Sequence, residues 1–139
     1  MFVLDTNVVS ELRKVRGGKA NPGVAEWAEQ IPSAELFISA ITIHELENGV
    51  LLMERSDPAQ GALLRAWLDH SVAAAFKGRV LPVDERVARR AAALHVPDPA
   101  PFRDALIGAT ALVHEMTVVT RDLKDFQRFH KLDVLNPWN

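Results

Sequence analysis

Cysteine is absent from all 139 residues, which excludes disulfides and thiolate metal sites and suits a cytoplasmic protein. No uninterrupted apolar stretch approaches the roughly 18 residues needed to span a bilayer, so no membrane partner is expected. The N-terminus lacks a basic region followed by an apolar one, so no signal peptide is expected and a cytoplasmic location is. The histidines form no ligand spacing, and Gly17-Gly18 matches neither a phosphate-binding loop nor a dinucleotide fingerprint. A strong charge imbalance is missing too. Sixteen basic and 18 acidic residues leave a net charge of −2, which does not advertise nucleic-acid binding. If four acids share one pit, however, the remaining surface is mildly basic, as a phosphate substrate bridged by metal would require.

What is present reads as one ordinary globular domain over residues 1–139, with 48% hydrophobic residues for a core. Phe2-Val3-Leu4 is a buried first strand that ends abruptly at Asp5-Thr6-Asn7 and turns into a helix. Asn21-Pro22 opens a second helix, with Val24, Trp27 and Ile31 at helical spacing. A strand is expected over Glu35–Ile41, then a helix with Ile43, Leu46, Val50 and Met53 on one face. Asp57-Pro58 starts the next helix, whose apolar stripe is Leu63, Leu64, Trp67, Leu68 and Val72, and the two helices form a hairpin. Val80–Val83 is a short strand whose Pro82 argues for an edge, and Asp84 caps a helix through about Leu94. A proline-rich turn leads to a helix of small residues from Phe102 to Leu112, followed by strands at Thr117–Thr120 and near Leu132–Leu135. This alternation predicts an α/β fold with a five-stranded, mainly parallel sheet flanked by helices.

In such sheets ligands sit outside the carboxyl ends of the strands, which is where Asp5 falls. Turn formation or capping is the competing explanation for it. Glu45 follows the second strand and is equally consistent with a capping box on Thr42. Asp104 suits the helix dipole, yet its neighbours Ile107, Gly108 and Ala111 form a close-packing apolar surface, where an acid must be paired, hydrated or metal-bound. Asp122 follows the fourth strand as Asp5 follows the first, with an ion pair to Arg121 or capping as its alternatives. Asp125, three residues on, can substitute for it or assist it. His44 is expected to be partly buried beside the site. Four carboxylates at one sheet edge would raise each other's pKa, and a divalent cation resolves the repulsion. An oxygen-only cluster suits Mg²⁺ or Mn²⁺ and can direct water at a phosphodiester.

Together, Phe2-Val3-Leu4-Asp5-Thr6-Asn7, Glu45-Leu46-Glu47-Asn48-Gly49, Asp104 to Ala111, and Thr120-Arg121-Asp122 with Asp125-Phe126 resemble the PIN-domain family. The look is that of the VapC/FitB-type toxins of type II toxin–antitoxin pairs. The resemblance implies a PIN fold and Mg²⁺- or Mn²⁺-dependent endoribonuclease activity on RNA. It also implies a homodimer and inhibition by a small cognate antitoxin of the VapB/FitA kind, through which alone DNA would be met. Carried over by position, Asp5, Glu45, Asp104 and Asp122 are the catalytic, metal-binding acids. Thr6 and Thr120 are supporting hydroxyls and Asn7 holds the first turn. The fourth motif often reads Thr-Arg-Asn with the acid three residues later. Asp122 and Asp125 therefore compete for the fourth place.

A ribonuclease toxin is thus the leading reading, with Arg13, Lys14, Arg16, Lys19 and Arg103 as candidate RNA-phosphate contacts. The alternative is a non-catalytic binding module that acts with a DNA-binding antitoxin in promoter autoregulation. A receiver-like phospho-acceptor fits less well, because it leaves Glu45 and the Asp104 helix unexplained.

Overall fold

The computed structural model describes residues 1–139. Its chain runs β1 (Phe2–Leu4), α1 (Thr6–Leu12), α2 (Pro22–Gln30), β2 (Leu36–Ser39) and α3 (Ala40–Ser56). It continues through α4 (Pro58–Ala66), a wide helical turn (Trp67–Val72) and the short α5 (Ala73–Ala75) to β3 (Val80–Leu81). It ends with α6 (Glu85–Ala93), α7 (Phe102–Val113), β4 (Thr117–Val119), α8 (Leu123–Gln127) and β5 (Val134–Leu135). No helix is long and apolar enough to cross a membrane.

All five strands are parallel, in the order β3-β2-β1-β4-β5. The chain winds outward from β1 to β3, then crosses back to lay β4 on the other side of β1. The strand order therefore reverses between β1 and β4, and the crevice at their carboxyl ends is the topological switch point. Strand β3 lies at the sheet edge, as expected, but it is shorter than Val80–Val83 and ends at Leu81, just before Pro82.

The pleat sends alternate side chains to opposite faces. Val3 and Val118 pack with Ile107, Phe126 and Val87 on the face covered by α6, α7 and α8. Leu4 and Val119 pack with Val8, Ile38, Val50 and Val72 on the other. Helix α7 is buried without a break from Asp104 to Ala111. Its small residues allow this, since a Cβ on Gly108 would stand only 3.0 Å from the Phe129 ring.

Three further expectations change. Strand β2 is shorter, because Ser39 caps α3 by accepting the Ile41 amide at 3.1 Å and the helix starts at Ala40. Leu63 leaves the apolar stripe and is 64% exposed, since α4 ends at Ala66 and the wide turn rotates the face that follows. His44 is exposed rather than partly buried. The α3–α4 hairpin forms as expected and is clamped by Arg65, which meets Glu47 at 2.5 and 2.7 Å and Glu54 at 3.2 Å. The Arg65 hydrogen bonds hold the Glu47 carboxyl below its usual range.

Candidate active site

Four turns meet at the switch point. Asp5 ends β1, is fully buried, and caps α1 by accepting the Thr6 amide on Oδ1 at 2.7 Å. Capping and site membership are therefore not alternatives, because the carboxylate does both. Its Oδ2 accepts the Thr120 hydroxyl at 2.7 Å across the β1–β4 boundary, and Thr120 Oγ1 in turn accepts the Asp122 amide at 3.0 Å. Asn7 reaches the same turn, donating to Asp122 Oδ2 at 3.1 Å and accepting the Arg121 amide at 3.4 Å. Asn7 thus fastens the β4–α8 turn to α1 rather than holding the first turn alone.

Glu45 sits inside α3, five residues past its start, so it makes no capping box with Thr42. Its Oε1 instead accepts the Thr6 hydroxyl at 2.5 Å, while Thr6 Oγ1 also lies 3.3 Å from the buried Thr42 Oγ1. Asp104 stands in the first turn of α7, 3% exposed and without a capping hydrogen bond. Burial pushes its carboxyl upward. The Arg103 charge opposes that shift, while the charges of Asp125, Asp5 and Asp122, in that order, add to it.

The centre of the site is Arg103. Its Nη2 meets Asp5 Oδ1, its Nε meets Glu45 Oε2 and its Nη1 meets Asp104 Oδ1, each at 2.5 Å. Burial works against the guanidinium charge, but the hydrogen bond to Glu45 and the fields of Asp5 and Glu45 outweigh it and raise its pKa. Three carboxylates from β1, α3 and α7 therefore converge on one cation. An all-oxygen donor set around a cation seat suits Mg²⁺ or Mn²⁺. With the guanidinium in the seat, however, no three acids stand close enough together to share a metal ion.

Asp122 and Asp125 stay exposed at the rim of α8, and Asp122 forms no ion pair with Arg121. Of the five basic candidates, Arg103 alone touches the carboxylates. Arg13 and Lys14 lie beyond the end of α1, roughly 12–14 Å along its axis from Asp5 at the usual helical rise. There Arg13 stacks on Trp67 at 5.8 Å and Lys14 pairs with Glu11 at 3.0 Å. Arg16 and Lys19 are exposed in the loop that follows. Two residues escaped the sequence reading. Thr42 carried no signal beyond its place in a helix start. Arg121, exposed beside the site and held over Trp138 at 5.5 Å, was weighed only as a partner for Asp122.

The PIN-domain family model matches residues 2–132. The chain belongs to the PIN-domain family. This PIN domain is 36% identical over 145 residues to the toxin FitB of Neisseria gonorrhoeae, covering 100% of this chain and 99% of that protein. It is likewise 36% identical over 143 residues to the VapC ribonuclease Y4jK of Sinorhizobium fredii, covering 99% and 98% of the two chains. The crystal structure of FitAcB from Neisseria gonorrhoeae superposes with a TM-score of 0.88 at 34% identity, over 100% of this PIN domain and 99% of that chain. A FitAB structure bound to an IR36 DNA fragment gives a TM-score of 0.87 at 33% identity, over 100% of this chain and 96% of that one.

Proposed function

We propose that this PIN domain is the endoribonuclease toxin of a toxin–antitoxin pair and cuts RNA at the Asp5–Glu45–Asp104 pit. The observation that carries the reading is the convergence of three carboxylates, each from a separate element, on one cation at the switch point. The ribonuclease and toxin names of the similar proteins agree with it. Asp5, Glu45 and Asp104 would hold Mg²⁺ or Mn²⁺, with Asp122 or Asp125 completing the set from the rim. When bound, the ion supplies charge neutralisation at the phosphodiester and a more acidic water for in-line attack.

The remaining work belongs to the chain's own groups. Thr120 and the Thr6 amide fix both oxygens of Asp5, so its lone pairs point one way before substrate arrives. Thr6 fixes Oε1 of Glu45 and leaves Oε2 facing the pit. Asn7 holds the turn that bears Asp122. Arg121 stands outside the acidic centre, where an RNA backbone phosphate would approach.

The partner in this reading is a separate antitoxin of the FitA/VapB kind, and DNA is met only through it; the similar FitAB structure is bound to an IR36 DNA fragment. Homodimerisation and a cytoplasmic location belong to the same proposal. The test is cleavage of total RNA by the purified chain with Mg²⁺, Mn²⁺ or EDTA, beside D104N. Metal-dependent cutting that D104N loses is the expected result. No cutting by antitoxin-free wild-type protein would leave a binding module that works through its antitoxin.

A further inference from the structure

Two acids of the pit are deeply buried, whereas Glu45, at 26%, and the cation in their midst are partly exposed. Asp5 and Asp104 side chains are 0% and 4% exposed, but Arg103 is 34% exposed and enters from the mouth. Beside it opens a cleft of about 620 Å³ lined by Ile41, His44, Glu45, Asn48, Gly49 and Phe102. Nothing apart from the three carboxylates holds the guanidinium in place.

The oxygens it occupies are the ones a metal needs. Asp5 Oδ2 and Glu45 Oε1 are already committed to the hydroxyls of Thr120 and Thr6. Arg103 takes Glu45 Oε2, Asp104 Oδ1 and Asp5 Oδ1, the last of which also accepts the Thr6 amide, so one oxygen of each carboxylate faces the guanidinium. A planar guanidinium spreads its partners around its edge. Mg²⁺ instead demands oxygens at about 2.0–2.1 Å in near-octahedral array. The same carboxylate oxygens cannot satisfy both cations at once, and with Arg103 seated no three acids are placed to share an ion.

We propose that Arg103 and the divalent cation exclude each other, so that metal binding turns the guanidinium out into the adjoining cleft, where it contacts the RNA backbone. Arg103 is then a positioning residue twice over. It keeps three mutually repelling carboxylates in place in the metal-free chain, and it is delivered to the substrate only once the metal is in. The proposal rests on the ribonuclease reading for its second half and on geometry alone for its first.

The experiment is Mn²⁺ binding without RNA, measured by calorimetry and by electron paramagnetic resonance, on the wild-type chain, R103Q and R103K. Removing a competing cation should tighten Mn²⁺ binding by R103Q roughly tenfold or more, within the range of coupled binding events. R103Q should also melt lower than wild type without metal and gain more melting temperature from Mn²⁺. R103K, which keeps a charge but cannot fork to three acids, should fall between them. RNA affinity of metal-loaded R103Q should fall while its metal affinity rises, opposite signs that a merely structural role would not produce. Equal or weaker Mn²⁺ binding by a folded R103Q, or no binding by either protein, overturns the exclusion. Exclusion without any RNA cleavage by wild type would remove the ribonuclease reading and leave the competition standing.

Discussion

The Thr6 hydroxyl donates a hydrogen bond to Glu45 Oε1 at 2.5 Å, tying the first turn of α1 to α3. Sequence separation gives no hint of this pairing, since the two stand 39 positions apart. It leaves Oε2 of Glu45 for the pit, where Arg103 Nε takes it. Replacing Thr6 by Val keeps the shape and removes the hydroxyl. T6V should lower cleavage about 10–100-fold, the usual effect of losing a residue that orients a metal ligand. T6S should restore most of it. Parallel melting curves separate this from unfolding, and a T6V chain with wild-type kcat and metal affinity would show that Glu45 needs no such support.

Asp104 carries a charge that its surroundings oppose. Its carboxyl titrates above the ordinary range, chiefly through burial. A folded-state pKa above the unfolded one means that the group's contribution is fully present below the unfolded pKa. It is lost as pH rises through the folded pKa. Ionised Asp104 is therefore a cost to folding at neutral pH. D104N should lose RNA cleavage yet melt at or above the wild-type temperature at pH 7, with the gap narrowing as the pH is lowered through the carboxylate range. A D104N chain that melts well below wild type at pH 7 would contradict this.

The rival acids of the last motif differ in what they touch. Asp122 is engaged by Asn7 at 3.1 Å, whereas the charge of Asp125 acts more strongly on Asp104 than that of Asp122 does. D125N is expected to reduce cleavage by about tenfold or more and D122N by only a few-fold. Metal affinity should follow the same order. The reverse order would assign the fourth place to Asp122.

Arg121 lies outside the acidic centre and stacks on Trp138, so its charge faces solvent. R121A should raise KM for RNA with little change in kcat. The slope of log affinity against log salt should fall by about one, as for loss of a single phosphate contact. An unchanged salt slope would remove Arg121 from the RNA path.

Stability away from the site is decided by close helix contacts. A Cβ on Gly61 would stand 2.4 Å from Glu54 Cα and 2.7 Å from its amide nitrogen. Those are backbone atoms at the α3–α4 crossing, so they cannot swing aside. G61A should cost about 1–3 kcal/mol in denaturant unfolding. RNA cleavage at low temperature should be unchanged, because the crossing is remote from the carboxylates.

The sequence by itself determined the elements and their alternation. Apolar runs such as Phe2–Leu4 and Thr117–Val119 read as short buried strands, and three of the helices between them announce their starts through Asn21-Pro22, Asp57-Pro58 and Asp84. Pro82, directly after Leu81, pointed to an edge because proline lacks the amide that a central strand must donate, and β3 does lie at the edge. The strand-then-acid order marked Asp5, Glu45 and Asp122, and the small apolar surface of Ile107, Gly108 and Ala111 marked Asp104. Local rules reach this far because they depend on residues within a few positions of one another.

Tertiary structure decided the rest, because it depends on partners that lie 36 to 115 residues apart. A capping box and a site ligand look alike at Glu45 until the fold shows Ser39 capping the helix and Thr6 holding the acid. Arg103 reads as a surface cation beside an acid, and only the meeting of β1, α3 and α7 turns it into the counter-ion of three carboxylates. Arg13 and Lys14 read as equals of Arg103, yet the direction of α1 carries them away from the pit. Spacing along the chain fixes which groups are available. The packing of separate elements fixes which of them share an electric field.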